Sequence, residues 1–178
     1  SVIINFTLAA DDNTPDGAKF LSGGDAEVFI WNRQWDRHKK DPSVLEYDMM
    51  QAPHHCSWHS LSYDSWSEKG EDAKLDADAR KALSRTRSGA VIVASCKPIK
   101  DDDSDPPCIR AKREYVAIVD DAEGRFYCTG EYPKAGEEEP MVFTVTSQGV
   151  ALAQRREAGS KAAAFTSTTL TPLPHGAT

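Results

Sequence analysis

The chain has 178 residues, 39% of them hydrophobic and 28% charged, which suits one soluble domain with a core and is too short for two ordinary domains plus a linker. That composition excludes global disorder, and no apolar run approaches the roughly 18 residues a membrane span needs. A net charge of -7, from 21 basic and 28 acidic residues, argues against tracking long nucleic acid by broad electrostatics, but leaves nucleotide chemistry open where a metal supplies the positive charge.

Ser1 to Thr7 is β-branched and aromatic and reads as a strand; Asp11 to Gly17 is a turn-rich connection; Ala18 to Ser22 is a second strand, so the two form a hairpin with a long loop. After Gly23-Gly24-Asp25, the three-to-four spacing of Val28, Ile30, Trp31 and Trp35 predicts a helix that Asp41-Pro42 stops. Val44 to Ala52 reads as a strand closed by Pro53, with His54-His55 just past its end. Leu61 to Gly70 has no clear period, and Asp76 to Arg87 reads as a helix. Ala90 to Ala94 is a continuous apolar run, the pattern of a strand covered on both faces. A charged, Pro-containing loop leads to a helix over Ile109 to Asp120, with Ala111, Tyr115 and Ile118 in one row. A strand follows over Arg125 to Thr129, and a hairpin pairs Met141 to Thr146 with Val150 to Gln154. Residues 1–156 form the expected domain, and 157–178 an Ala/Ser/Thr/Pro-rich tail. Strands alternating with covering helices predict an α/β layered domain with a mixed sheet.

Two features could carry chemistry. Asp25 follows two glycines at a strand end, and His54-His55 follows another strand end, the edge where α/β folds present ligands. A carboxylate and an imidazole from neighbouring strand ends suit a hydrolytic zinc-type site. The plainer alternatives are a helix N-cap for Asp25 and a surface or supporting role for the histidines.

The surrounding residues carry a resemblance. Phe20-Leu21-Ser22-Gly23-Gly24-Asp25-Ala26-Glu27 resembles the strand followed by Gly-Asp-Ala-Glu of metallo-β-lactamase-fold hydrolases. Tyr47 to Ser57 resembles their Asp, apolar strand and Ala-Pro-His-His-Gly-Ser segment. The most similar branch is the hydrolase domain of the competence DNA-uptake channel, and the resemblance extends over roughly residues 1–154. It implies the C-terminal half of an αββα sandwich. Asp25 would bridge two divalent metal ions, zinc or manganese; His55 would ligate one of them; His54 would be a further metal or substrate contact. The implied activity is hydrolysis of a phosphodiester or related ester by metal-activated water, with a small phosphoester or nucleotide-type substrate.

Three departures accompany it. The family's upstream His-x-His-x-Asp-His motif cannot be formed by His38, His54, His55, His59 and His175. The expected partner is therefore a complementary N-terminal half or a homodimer. Cys56 stands where the family has Gly, as a reactive thiol beside a ligand or as a small buried residue, and Asp105-Pro106-Pro107 stands where relatives carry His-Pro. Ser57, His59, Ser60 and Ser62 either contact substrate or serve the loop's own hydrogen bonding; Lys97 and Lys100 either hold a phosphate or are solvated. Arg110, Lys112 and Arg113 read as a polar helix face or phosphate contacts, and the four tryptophans as packing residues. The N-terminus has no basic n-region, so a cytoplasmic protein with reduced Cys56, Cys96, Cys108 and Cys128 is expected. The rival reading is a non-catalytic interaction or scaffold subunit on the same fold.

Overall fold

A computed structural model describes residues 2–153; the expected tail, 157–178, lies outside the described residues. The elements run β1 (Ile4–Leu8), β2 (Ala18–Ser22), α1 (Val28–His38), β3 (Tyr47–Gln51), α2 (Trp66–Lys69), α3 (Ala77–Leu83), β4 (Thr86–Ala94), α4 (Ile109–Asp120), β5 (Arg125–Cys128), β6 (Phe143–Thr146) and β7 (Gly149–Leu152). Strands β1 to β5 form one sheet in sequence order; β1 is antiparallel to β2 and the others are parallel. Successive crossovers that all advance the same way and share one hand put their helices on one face of the sheet. On that face Leu21, Met50 and Ile92, in register across β2, β3 and β4, pack in one core with Trp31, Leu83, Tyr115 and Ile118.

The β6–β7 hairpin packs on β3 and β4, and Phe143 meets Tyr127 edge-on with centroids 6.0 Å apart. Helices on one side and the hairpin on the other bury every residue from Ala90 to Ala94, as the apolar run predicts. The domain is thus α/β, with a mixed sheet of five strands flanked by helices. No helix among the described residues is long and apolar enough to cross a membrane.

The structure departs most from the sequence expectation at three places. The helix expected to reach Arg87 ends at Leu83, and β4 starts at Thr86. Thr86 to Gly89 carry no apolar pattern; they extend because Thr86 pairs with Tyr47 and Arg87 bonds Asp48. The strand expected from Val44 starts at Tyr47, because the Asp41 carboxylate accepts from Ser43 N and Pro42 opens a 3-10 turn over Pro42–Leu45. Helix α2 was not expected; its four residues are anchored by the buried Trp66.

Candidate functional site

Four parallel strands deliver their C-terminal ends to one edge: Gly23–Asp25 after β2, His54–Cys56 after β3, Ser95–Lys97 after β4 and Thr129 after β5. Backbone bonds tie these ends together. His54 N donates to Gly24 O at 2.9 Å, Ala52 N to Val93 O at 2.9 Å, and Cys108 N to Cys56 O at 3.0 Å. The Gly-Gly pair has two separate causes. A Cβ at Gly23 would sit 2.3 Å from the Trp31 ring, and Gly24 adopts φ +51. Trp31 in turn is fully buried, and its Nε1 donates to Ala26 O at 2.9 Å.

Asp25 is exposed and caps nothing; the N-cap position of α1 belongs to Glu27. The Asp25 carboxylate has no hydrogen-bond or ion-pair partner among the described residues. His54, His55 and Cys56 have φ of 48, 54 and 66, three successive non-glycine residues in the left-handed region. Each costs about 1–2 kcal/mol there, and such strain persists only where the surroundings over-determine it. It also gives the resemblance's Gly a physical reason: position 56 needs a left-handed backbone. Cys56 meets that need as a fully buried side chain, and burial pushes its thiol well up, so it is no reactive thiolate. All four cysteines are unbridged; Cys96 and Cys128 Sγ lie 3.6 Å apart, and burial pushes the Cys96 thiol up.

The two histidines are used differently. His55 is exposed, and its Nδ1 lies 2.8 Å from Ser95 O. A carbonyl only accepts, so Nδ1 carries the proton and the neutral ring keeps its lone pair on Nε2. His54 Nδ1 is buried without a hydrogen-bond partner, and the Glu27 carboxylate lies 3.9 Å from it.

The remaining candidates divide clearly. Ser57 is fully buried and its Oγ accepts from His59 N at 3.1 Å, so it serves the loop. Ser60 and Ser62 are buried too, and donate to Pro53 O and Lys74 O. Lys97 is exposed and lines a cleft of about 240 Å³ with Lys100, Asp102, Ser104 and Pro107. Arg110, Lys112 and Arg113 are ion-paired with Glu71, Glu114, Glu131 and Asp101, a polar helix face. Among the described residues, no group of three or more His, Cys, Asp or Glu side chains converges to hold a metal ion.

Sequence reasoning missed two carboxylates at this edge. Glu27 stands in the Gly-Asp-Ala-Glu segment with no role assigned to it. Asp105 belongs to an acidic run that reads as solvated, yet its side chain is 7% exposed and its Oδ1 accepts from Trp58 N at 3.0 Å. Five of the six buried polar side-chain atoms without a partner among the described residues belong to this region: His54 Nδ1, Trp58 Nε1, Asp105 Oδ2, Arg110 Nε and Tyr115 OH. Native interiors leave only a few such atoms per hundred residues, and most of those found among the described residues gather here. No protein-family model, no curated protein and no solved structure matches this chain.

Proposed function

We propose that this chain is the C-terminal half of a metallo-β-lactamase-fold hydrolase that cleaves a phosphodiester or related ester. The observation that carries the reading is the His55 ring: its Nδ1–H donates to Ser95 O and leaves the Nε2 lone pair free, the arrangement in which a backbone carbonyl fixes a metal-ligating imidazole. The donor set fits zinc or manganese. Among the described residues, Asp25 offers a carboxylate without a partner, His55 an oriented imidazole, and His54 a buried nitrogen without a hydrogen-bond partner. When bound, the metal pair would supply a water acidic enough to attack an ester at neutral pH. The chain's own residues orient and shield: Trp31 and Gly23 lock the turn that carries Asp25, Ser95 O sets the His55 ring, and Lys97 at the cleft rim attracts an anionic substrate.

The donors here are too few for a dinuclear centre, so the reading requires completion by a complementary half or a second copy. An apolar surface supports that requirement. On β1, Ile4 and Phe6 are each 44% exposed, and Phe6 stacks on Phe20 at 6.0 Å. Such a row on a sheet is suited to cover by another sheet.

The test is metal content by mass spectrometry, for the wild type beside Asp25→Ala and His55→Ala. Near-stoichiometric zinc or manganese that both substitutions lower is the expected result. A metal-free wild type, even with the complementary half added, would overturn the hydrolase reading and leave an interaction module.

A further inference from the structure

Asp105 and His59 form a pair that the metal reading does not use. The Asp105 side chain is 7% exposed, its Oδ1 accepts from Trp58 N at 3.0 Å, and its Oδ2 is buried without a hydrogen-bond partner. His59 follows Trp58 directly; its side chain is 41% exposed and its Nε2 lies 3.9 Å from that Oδ2. The backbone of the imidazole's own turn therefore holds the carboxylate, and His59 N is itself fixed by Ser57 Oγ at 3.1 Å. Trp58 beneath is fully buried, with the Arg110 guanidinium 5.5 Å from its ring. A buried carboxylate oxygen without a donor is costly, and 3.9 Å is a gap that a small ring rotation or one bridging water closes.

We infer that His59 is a ligand-handling imidazole of this edge and that Asp105 is its positioning residue. A carboxylate only accepts, so the nitrogen turned towards Asp105 carries the proton, and in the neutral form of the ring the lone pair lies on Nδ1. That nitrogen accepts a hydrogen bond from a hydroxyl-bearing group, either water or a free alcohol. The reaction in which it takes part rests on the hydrolase reading; the pairing with Asp105 does not.

Proton and ¹⁵N NMR of the labelled chain, with His59→Gln to assign the ring, tests the pairing. A low-field imidazole proton on Nε2, slow to exchange and lost in both His59→Gln and Asp105→Asn, is expected. No such proton in the wild type, or its survival in an Asp105→Asn protein whose near-ultraviolet tryptophan spectrum is native, would overturn the pair. Should Asp105→Asn fail to fold, the wild type against His59→Gln decides. The ligand-handling role is read with zinc and the complementary half added, as hydrolysis of bis-p-nitrophenyl phosphate. His59→Gln is expected to lower kcat roughly 100-fold with metal content unchanged, and an unchanged kcat would overturn the role. A wild type without turnover would count against the hydrolase and against His59 acting in it, while the NMR result still decides the pair.

Discussion

At the start of β3, Asp48 accepts from Lys19 N at 2.7 Å and from Arg87 Nη1 at 2.9 Å, and the buried Tyr47 hydroxyl donates to Leu83 O at 2.6 Å. Beyond the end of the same strand, His54 Nδ1, Trp58 Nε1 and Asp105 Oδ2 are buried without hydrogen-bond partners among the described residues, and three successive residues hold left-handed backbones. At the first end most buried polar groups are matched inside the protein, Asn5 Oδ1 beside Val44 and Glu46 being the exception. The second tolerates strain and unmatched donors and acceptors, which the tied strand ends and the tryptophan packing hold in place. Strained backbone of this kind persists only where the surrounding structure over-determines it.

Substitutions at the two ends should therefore differ in sign as well as size. The largest loss is expected from Gly23→Ala, because its Cβ would meet the Trp31 ring at 2.3 Å in the fully buried anchor of the site. About 3 kcal/mol of unfolding free energy should disappear in urea titrations; a loss below about 1 kcal/mol would mean that this packing does not hold the turn. Asp48→Ala should cost about 2 kcal/mol by the same measurement, since it strands Lys19 N and releases Arg87. His54→Gly should go the other way. It relieves a left-handed φ of 48 and sacrifices a ring whose Nδ1 bonds nothing, so stability should rise by about 1 kcal/mol. A destabilised His54→Gly protein would erase the contrast between the ends.

The smallest effect is reserved for Asp64, which lies at neither end. Its hydrogen bond from Lys69 holds its carboxyl below the usual range, helped by Lys74 N. The unfolded chain therefore binds this proton more readily than the folded one. The contribution is present above the ordinary carboxylate pKa and fades as pH falls towards the lower folded value. The acid limb of a thermal-denaturation series should be slightly flatter for Asp64→Asn than for the wild type.

Much of the architecture was legible because local patterns and tertiary packing agree. The alternation at β1, the apolar run of Ala90 to Ala94 and the row of Ala111, Tyr115 and Ile118 correspond to β1, the buried end of β4 and the buried face of α4. Legibility failed where tertiary contacts overrode local preference. Thr86 to Gly89 extend β4 because β3 and Asp48 hold them, and α2 forms around a Trp66 whose window has no period. At the site, Gly23-Gly24-Asp25 and His54-His55 could be picked out because each follows a strand end, where α/β folds present ligands, and because each lies in a segment that carries the resemblance. Asp105 could not: an acidic run looks solvated until a distant backbone N–H at Trp58 claims one member of it.

By itself, the sequence determined the α/β class, the element order apart from α2, and the buried rows of β4 and α4, since these follow from periodicity and turn chemistry within a few residues of each position. Only the tertiary structure decided that β2, β3 and β4 are adjacent and parallel, so that Asp25, His54, His55 and Ser95 belong to one edge. It alone turned His55 towards Ser95 O and set Asp105 beside His59 and Trp58. The physical reason is the same in each case. Hydrogen bonds between segments 40 or more residues apart depend on how the chain is packed, and no local pattern encodes them.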